Sequence, residues 1–166
     1  DLDGIGAEPD TPITFDLAPV FAALRHNTYF YSINMNGIIR SSSFTLLANT
    51  MQTNVHLTKL TLINLGKISG VQKLGEALAK NSANALQVLD LSGTVVNDKA
   101  MAALAGAIAV KEDGLQTLLL ARSNVSVKGL AMLVRDGFER NPGVALTLQH
   151  LSLSFNSFDE SSSALL

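Results

Sequence analysis

The side chains able to do acid–base or metal chemistry are few in this sequence and lie far apart along it. His150 with Asp90 is the pair that could form a general acid–base arrangement. His26 and His56 have neither cysteines nor a carboxylate cluster near them, as a metal site would require. Whether His150 and Asp90 can act together therefore depends on how the fold positions them.

Two short segments resemble a phosphate site and a modification site. Residues 66–68 lack the upstream glycine and the following serine or threonine of a phosphate loop, and Gly4 and Gly6 follow no strand. Asn124 begins an N-glycosylation pattern that ends at Ser126, but Ser126 is better placed to cap a helix. We therefore expect no nucleotide, cofactor or metal, no catalytic residue and no glycan.

The composition indicates a folded protein and excludes several partners. Of the 166 residues 47% are hydrophobic and only 5% aromatic, which suits the packing of small repeated units. Twelve basic and fourteen acidic residues give a net charge of -2, without a basic cluster for nucleic acid. The absence of cysteine fits a cytoplasmic location, and no apolar run reaches the roughly 20 residues that span a bilayer.

Apolar residues at spacings +3 and +5 recur five times along the chain, and this repeat predicts the elements that position every candidate residue. The period is close to 29 residues, with a longer last interval around Asn141-Pro142-Gly143. The five triplets are Phe30/Ile33/Met35, Leu57/Leu60/Leu62, Leu86/Leu89/Leu91, Leu115/Leu118/Leu120 and Leu148/Leu151/Leu153.

Each copy changes from a strand pattern to a helix pattern. Leu-x-Leu alternation predicts a short strand with one buried face, and a period of 3.6 follows it. The predicted apolar helical faces are Phe44/Leu47/Met51, Val71/Leu74/Leu78, Met101/Leu104/Ile108 and Leu130/Leu133/Phe138. Ser42 or Ser43, Ser69, Asn97 or Asp98, and Ser126 are the predicted N-caps, and Asn27, Asn54, Asn81, Gly114 and Asn141 are expected to end helices in the left-handed conformation.

One strand–helix unit cannot enclose its own apolar face, so the units must stack on one another. We therefore predict an α/β fold, a leucine-rich-repeat solenoid of the ribonuclease-inhibitor type, with parallel strands on the concave face and helices on the convex face. Residues 1–166 would be a fragment of such a solenoid, with repeats starting near 30, 57, 86, 115 and 148. Residues 15–25 and 161–166 are predicted to belong to partial repeats at the two ends.

The concave face is the default docking surface of such a fold. Its candidate docking residues are Tyr31, Asn34, Lys59, Gln87, Asp90, Gln116, Gln149 and His150. Strands lie about 4.8 Å apart, so Asp90 and His150, two strands apart, are expected roughly 10 Å from each other and not to act in catalysis. At the position that is usually Asn in such repeats the chain has Ile38, Leu65, Thr94, Ser123 and Asn156, so only Asn156 is expected to keep the buried amide ladder.

Several segments together resemble the leucine-rich-repeat region of the CARMIL proteins, which regulate actin capping protein. The resemblance covers roughly Asp16 to Leu166. It rests on residues 71–81 and 86–92, on Leu115-Gln116-Thr117-Leu118 with Val127-Lys128-Gly129-Leu130, and on Asn141-Pro142 followed by residues 146–154.

The resemblance implies a non-catalytic scaffold and docking surface in a regulator of actin capping protein and of actin filament assembly. It implies protein partners, with the actin-regulatory machinery bound through regions outside these residues, and also self-association as a homodimer. Membrane association would come only from domains outside these residues. The expected location is the cytoplasm, at the cytoskeleton or cell cortex. No nucleic acid is expected as a partner.

Two other functions stay open. Arg122 follows the fourth predicted strand, and GTPase-activating leucine-rich repeats of the Ran-regulator type act from the rim that such turns form. A single arginine there is more often only solvated. The other alternative is a binding module like ribonuclease inhibitor or the immune receptors, which generally carry more charged or aromatic residues on the concave face.

Overall fold

The computed structural model describes residues 16–37, 41–65, 70–112 and 114–158. The helices are α1 Ala18–Leu24, α2 Ser41–Met51, α3 Gly70–Lys80, α4 Asp98–Val110, α5 Val127–Met132 and α6 Pro142–Thr147, with a π-helix, π1, over Leu133–Phe138. The strands are β1 Ser32–Asn36, β2 Lys59–Ile63, β3 Val88–Asp90, β4 Thr117–Leu119 and β5 His150–Ser152. Predictions on Gly4, Gly6, Phe15, Ile38, Ser69 and residues 66–68 and 161–166 lie outside the described residues.

The five strands form one parallel sheet in sequence order, β1-β2-β3-β4-β5. The register aligns the middle residues of the five leucine triplets, Ile33, Leu60, Leu89, Leu118 and Leu151. The helices also contact one another in chain order: α1 packs on α2, α2 on α3, α3 on α4, and α4 on α5 and π1. The predicted α/β class with parallel strands is confirmed, together with the predicted register.

The leucine triplets form the core most completely in the three middle units, where none of the nine side chains is more than 3% exposed. In the last unit Leu148, Leu151 and Leu153 are half-buried. Phe30 is 60% exposed, so the prediction that it points into the core is wrong. It precedes the edge strand β1, and the described residues place no further unit against that edge.

The apolar helical faces lie as the 3.6-residue period predicts. Phe44, Leu47, Leu74, Met101 and Leu104 are at most 2% exposed. Of the predicted positions only Phe138, at the end of π1, is half-buried, and the others are buried. Because successive helices contact each other through these faces, the core runs continuously between the sheet and the helix layer.

Two predicted N-caps are confirmed. The Asn97 side chain accepts a hydrogen bond from the Ala100 N–H, and the Ser126 hydroxyl accepts one from the Gly129 N–H, both at 2.9 Å. Ser42 and Ser43 lie inside α2, which already begins at Ser41, so they are not N-caps.

The predicted left-handed helix ends are wrong. None of Asn27, Asn54, Asn81, Gly114 and Asn141 has a positive φ. Positive φ values occur instead after the strands, and the asparagines have a different role, since their side chains bond to the neighbouring unit.

The extra length of the last unit lies on its helix side. In π1 the Glu139 N–H bonds to the Val134 carbonyl, five residues earlier, so the turn holds one more residue than an α-helical turn. Pro142 then opens α6, where the sequence predicts the insertion. Val144 of α6 is fully buried, so the added helix extends the core.

Candidate protein-interaction surface

One face of the sheet carries rows of residues that are aligned across the strands. Ser32, Lys59, Val88, Thr117 and His150 are register partners across the five strands. Asn34, Thr61, Asp90, Leu119 and Ser152 form a second row. Tyr31, Thr58, Gln87, Gln116 and Gln149 are joined by backbone hydrogen bonds of 2.8 to 2.9 Å just before the strands.

The candidate docking residues differ in exposure along these rows. Tyr31, Asn34, Lys59, Gln87, Gln149 and His150 are exposed, whereas Asp90 and Gln116 are half-buried. Between Lys59 and His150 the row is uncharged, because Val88 and Thr117 occupy the two intervening strands. The face therefore offers hydrogen-bonding and aromatic groups and little charge.

The structure keeps His150 and Asp90 apart. Asp90 lies on β3 and aligns with Leu119 and Ser152, whereas His150 lies on β5 and aligns with Thr117 and Val88. One strand and a two-residue offset therefore separate them. Asp90 instead accepts a hydrogen bond from the Ser92 N–H at 2.9 Å, which forms a local turn.

A ladder of side-chain amides joins the ends of successive helices. The Asn54 Nδ2 donates to the carbonyl oxygens of Leu24 at 2.7 Å and Asn27 at 3.2 Å. The Asn81 Nδ2 does the same one unit later, to Met51 and Asn54, both at 2.9 Å. These carbonyls lie at the ends of helices, where no intrahelical partner exists, so each amide caps the helix of the preceding unit.

The ladder continues with a lysine in one unit. The Asn141 Nδ2 donates to the carbonyls of Ile108 at 2.8 Å and Lys111 at 2.9 Å. Lys111 therefore accepts from Asn141 in the same way as Asn54 accepts from Asn81. The Lys111 ammonium, in a side chain only 7% exposed, donates to the Asn84 carbonyl and to Asn84 Oδ1. Sequence reasoning missed this role, although the recurrence of Asn27, Asn54 and Asn81 at helix ends was a usable signal.

A second ladder follows the strands, with hydroxyls in two units at the position that usually carries an amide. The Thr94 hydroxyl donates to the Leu62 carbonyl at 2.7 Å and accepts from the Leu65 N–H at 3.1 Å. The Ser123 hydroxyl donates to the Leu91 carbonyl at 2.8 Å. Asn156 alone keeps the amide, which donates to Leu120 and accepts from the N–H groups of Ser123 and Val125.

The residue that follows each strand region has a left-handed backbone. The φ values at this position are 86° at Gly37, 56° at Asn64, 70° at Gly93, 54° at Arg122 and 58° at Phe155. Glycine suits such a φ and asparagine tolerates it, but arginine and phenylalanine do not. Each of the last two costs on the order of 1–2 kcal/mol relative to glycine.

These two strained residues contact each other on the surface. The Arg122 Cζ lies 4.6 Å from the centroid of the Phe155 ring, within range of a cation–π interaction. The Phe155 side chain is 77% exposed. An exposed pair of this kind contributes about 0.5–1 kcal/mol, which does not offset the strain of two left-handed side chains.

Arg122 and Phe155 line a groove at the carboxyl end of the strands, with a volume of about 220 Å³. The other lining residues are Ile63, Asn64, Asp90, Ser92, Gly93 and Ala121. Within the described residues the Arg122 guanidinium has neither a hydrogen bond nor an ion pair. The groove therefore combines an exposed guanidinium, a carboxylate and an exposed aromatic ring.

Neither a membrane-spanning helix nor a metal-binding cluster occurs in the described part of the chain. No helix in it is long and apolar enough to cross a lipid bilayer. No three His, Asp or Glu side chains in the same residues come close enough together to hold a metal ion.

Comparison with known proteins found relatives of this chain. No protein-family profile matches it. It is 32% identical over 143 residues, 85% of its length, to the Homo sapiens protein named Capping protein, Arp2/3 and myosin-I linker protein 3. Two Dictyostelium discoideum proteins match over 87% of the chain, Protein CARMIL at 29% identity and Rho GTPase-activating protein gacW at 28%. The chain spans only 10%, 14% and 13% of these three relatives, respectively.

Proposed function

Since this chain belongs to the CARMIL family, we propose that it is the leucine-rich-repeat part of a regulator of actin capping protein and acts there as a non-catalytic protein-interaction scaffold. The similarity to the linker proteins over 85% of the chain carries this proposal. The names of those relatives include capping protein, Arp2/3 and myosin-I, which are all protein partners. A scaffold role also fits a sheet face made of polar and aromatic side chains.

We further propose that the units form a curved solenoid. Neighbouring strands in a sheet lie about 4.8 Å apart, whereas packed helices lie about 8–10 Å apart. Because every unit adds one strand to the sheet and one helical layer outside it, the helix side is longer and the sheet side becomes concave. The strand order and the contacts between successive helices support this geometry.

The proposed docking surface is the sheet face on the concave side. Its residues are Tyr31, Asn34, Lys59, Gln87, Asp90, Gln116, Gln149 and His150. The exposed members other than Lys59 can form hydrogen bonds without removing a charge from water, which favours contact with a folded protein. Capping protein and the actin machinery are proposed to bind mainly through other regions of the whole protein, which would act in the cytoplasm at the cell cortex.

A pulldown tests the family-level function. The full-length protein that contains this chain should retain purified actin capping protein, and the 166-residue chain alone should not. A full-length protein that retains no capping protein would remove the proposal. A Lys59→Glu and Gln87→Glu double substitution leaves the core untouched and should weaken only contacts of the sheet face.

A second candidate function is activation of a GTPase through Arg122. The exposed guanidinium at the strand ends and the 28% identity to gacW, which is named a Rho GTPase-activating protein, support it. An activating arginine stabilises transition-state charge and raises hydrolysis by about 10³–10⁵-fold. Stimulated GTP hydrolysis by Rho-type and Ran-type GTPases, compared between wild type and Arg122→Ala, tests this idea, and an unchanged rate excludes it.

A further inference from the structure

We propose that the groove formed by Arg122 and Phe155 binds a segment of a partner protein that carries an acidic side chain next to an aliphatic one. The proposal rests on the scaffold function above, and it adds a second binding surface at the carboxyl end of the strands. It starts from the left-handed row of Gly37, Asn64, Gly93, Arg122 and Phe155. At two adjacent positions of this row the chain has large side chains where glycine would fit without strain.

Folding alone does not account for these two side chains. The backbone of the same turn is made by glycine in two other units, at Gly37 and Gly93. The Arg122–Phe155 contact lies on the surface, with the Phe155 side chain 77% exposed, so it contributes little to the core. Strained residues that do not stabilise the fold in compensation are frequent at ligand sites.

The chemistry of the groove indicates a carboxylate ligand. Stacking of the Arg122 guanidinium on a ring orients the arginine while its N–H groups remain free to donate at their edges. Those groups have no acceptor among the described residues, and a carboxylate can accept two of them at once. The exposed Phe155 ring offers an apolar surface beside that position for an aliphatic side chain.

Asp90, which also lines the groove, limits what can bind. One of its carboxylate oxygens accepts from the Ser92 N–H, which fixes the side chain in the groove lining. A second acidic residue close to Asp90 would be repelled, whereas a backbone N–H of the ligand could donate to it. The groove therefore suits one acidic side chain on an extended backbone and disfavours an acidic run.

The size of the groove favours part of a protein over a free small molecule. Its volume of about 220 Å³ is below the roughly 300–1,000 Å³ that is typical of small-molecule pockets. Among the described residues it is an open groove, so a chain can enter it from solvent. We therefore assign it to a peptide segment.

An array of peptides with one glutamate moved through a background of leucine and serine tests this assignment. The 166-residue chain should retain peptides with glutamate beside leucine, and their glutamine counterparts should bind about tenfold more weakly. The affinity of the retained peptides, measured by fluorescence anisotropy, should fall with added salt. Failure to retain any peptide, or equal retention of the glutamine counterparts, would overturn the proposal.

Variants separate the groove from general effects on the fold. Arg122→Gly keeps the turn, because glycine suits a φ of 54°, and should abolish the preference for glutamate. Asp90→Asn should tighten binding of peptides with two acidic residues. Arg135→Gln, at an exposed arginine on π1, should change nothing.

The outcomes also distinguish this proposal from the scaffold function. If Arg122→Gly retains the wild-type peptides, the groove is not the site, while the full-length pulldown can still succeed. If the array result holds and the pulldown fails, the groove binds acidic segments in a protein of another function.

Discussion

The Asn81 side-chain amide donates a hydrogen bond of 2.9 Å to the backbone carbonyl of Asn54, the residue in the same position one unit earlier. Asn54 in turn donates to the carbonyl of Asn27, so one chemical group links three successive units. These contacts cap the ends of α1 and α2 from outside those helices. The stability of each unit therefore depends on its neighbour through polar contacts as well as through the leucine core.

Replacing Asn81 by alanine should destabilise the protein by about 1–3 kcal/mol, because the Met51 and Asn54 carbonyls would lose their donor in a buried place. Urea denaturation followed by circular dichroism measures the change. Asn49→Ala, at an exposed site of α2, is the matched control and should be near neutral. Equal effects of the two substitutions would contradict a role for the ladder.

Thr94→Val should cost about 1–3 kcal/mol, although it keeps the shape of the side chain. The Thr94 hydroxyl is fully buried and serves both the Leu62 carbonyl and the Leu65 N–H. Thr94→Ser keeps that hydroxyl and should cost clearly less. The two denaturation midpoints measure what the hydroxyl contributes to stability. A valine variant as stable as the serine variant would show that it contributes nothing.

Truncation of Leu89 to alanine should cost about 2–5 kcal/mol, since the side chain is only 3% exposed and its removal leaves a cavity. Leu89 aligns with Leu60 and Leu118, so hydrogen exchange should become faster in β2 and β4 as well as in β3. Asp90→Ala, one residue later, should cost little. Loss of protection confined to β3 would argue against shared stability between units.

At position 122, glycine should give a protein about 1 kcal/mol more stable than alanine does, which reverses their usual order. The reason is the φ of 54°, which an alanine side chain adopts only with strain. Thermal unfolding of Arg122→Gly and Arg122→Ala measures the difference. The same pair at Arg135, in π1, is the control, and there alanine should be the more stable variant.

Part of the candidate surface could be predicted from the sequence. The alternation around Leu60, Leu89 and Leu118 predicts which neighbours face away from the core, and the register places Lys59 and His150 in one row. Phe30 fits the same pattern yet is exposed, because burial requires a neighbouring unit and no local pattern reports one. The docking role of these residues is a proposal that awaits its experiment.

The asparagines at the helix ends show why a residue type can suggest the wrong role. Asparagine is common both in left-handed turns and as a hydrogen-bond donor to helix ends, so its presence at Asn54 and Asn81 does not distinguish the two. The left-handed residues that follow the strands in register are Gly37, Asn64, Gly93, Arg122 and Phe155, and two of these five have side chains that propensity would exclude. Only the register identifies them as one row.

By itself the sequence determined the repeat, the parallel strand register and the apolar faces of the helical segments that follow the first four strands, because all three depend on the spacing of apolar residues along the chain. The tertiary structure decided which side chains and carbonyl groups meet across units: Asn81 with Asn54, Thr94 with Leu62, and Arg122 with Phe155. Those partners are separated by about one repeat in the chain, so their contact exists only once the units have stacked.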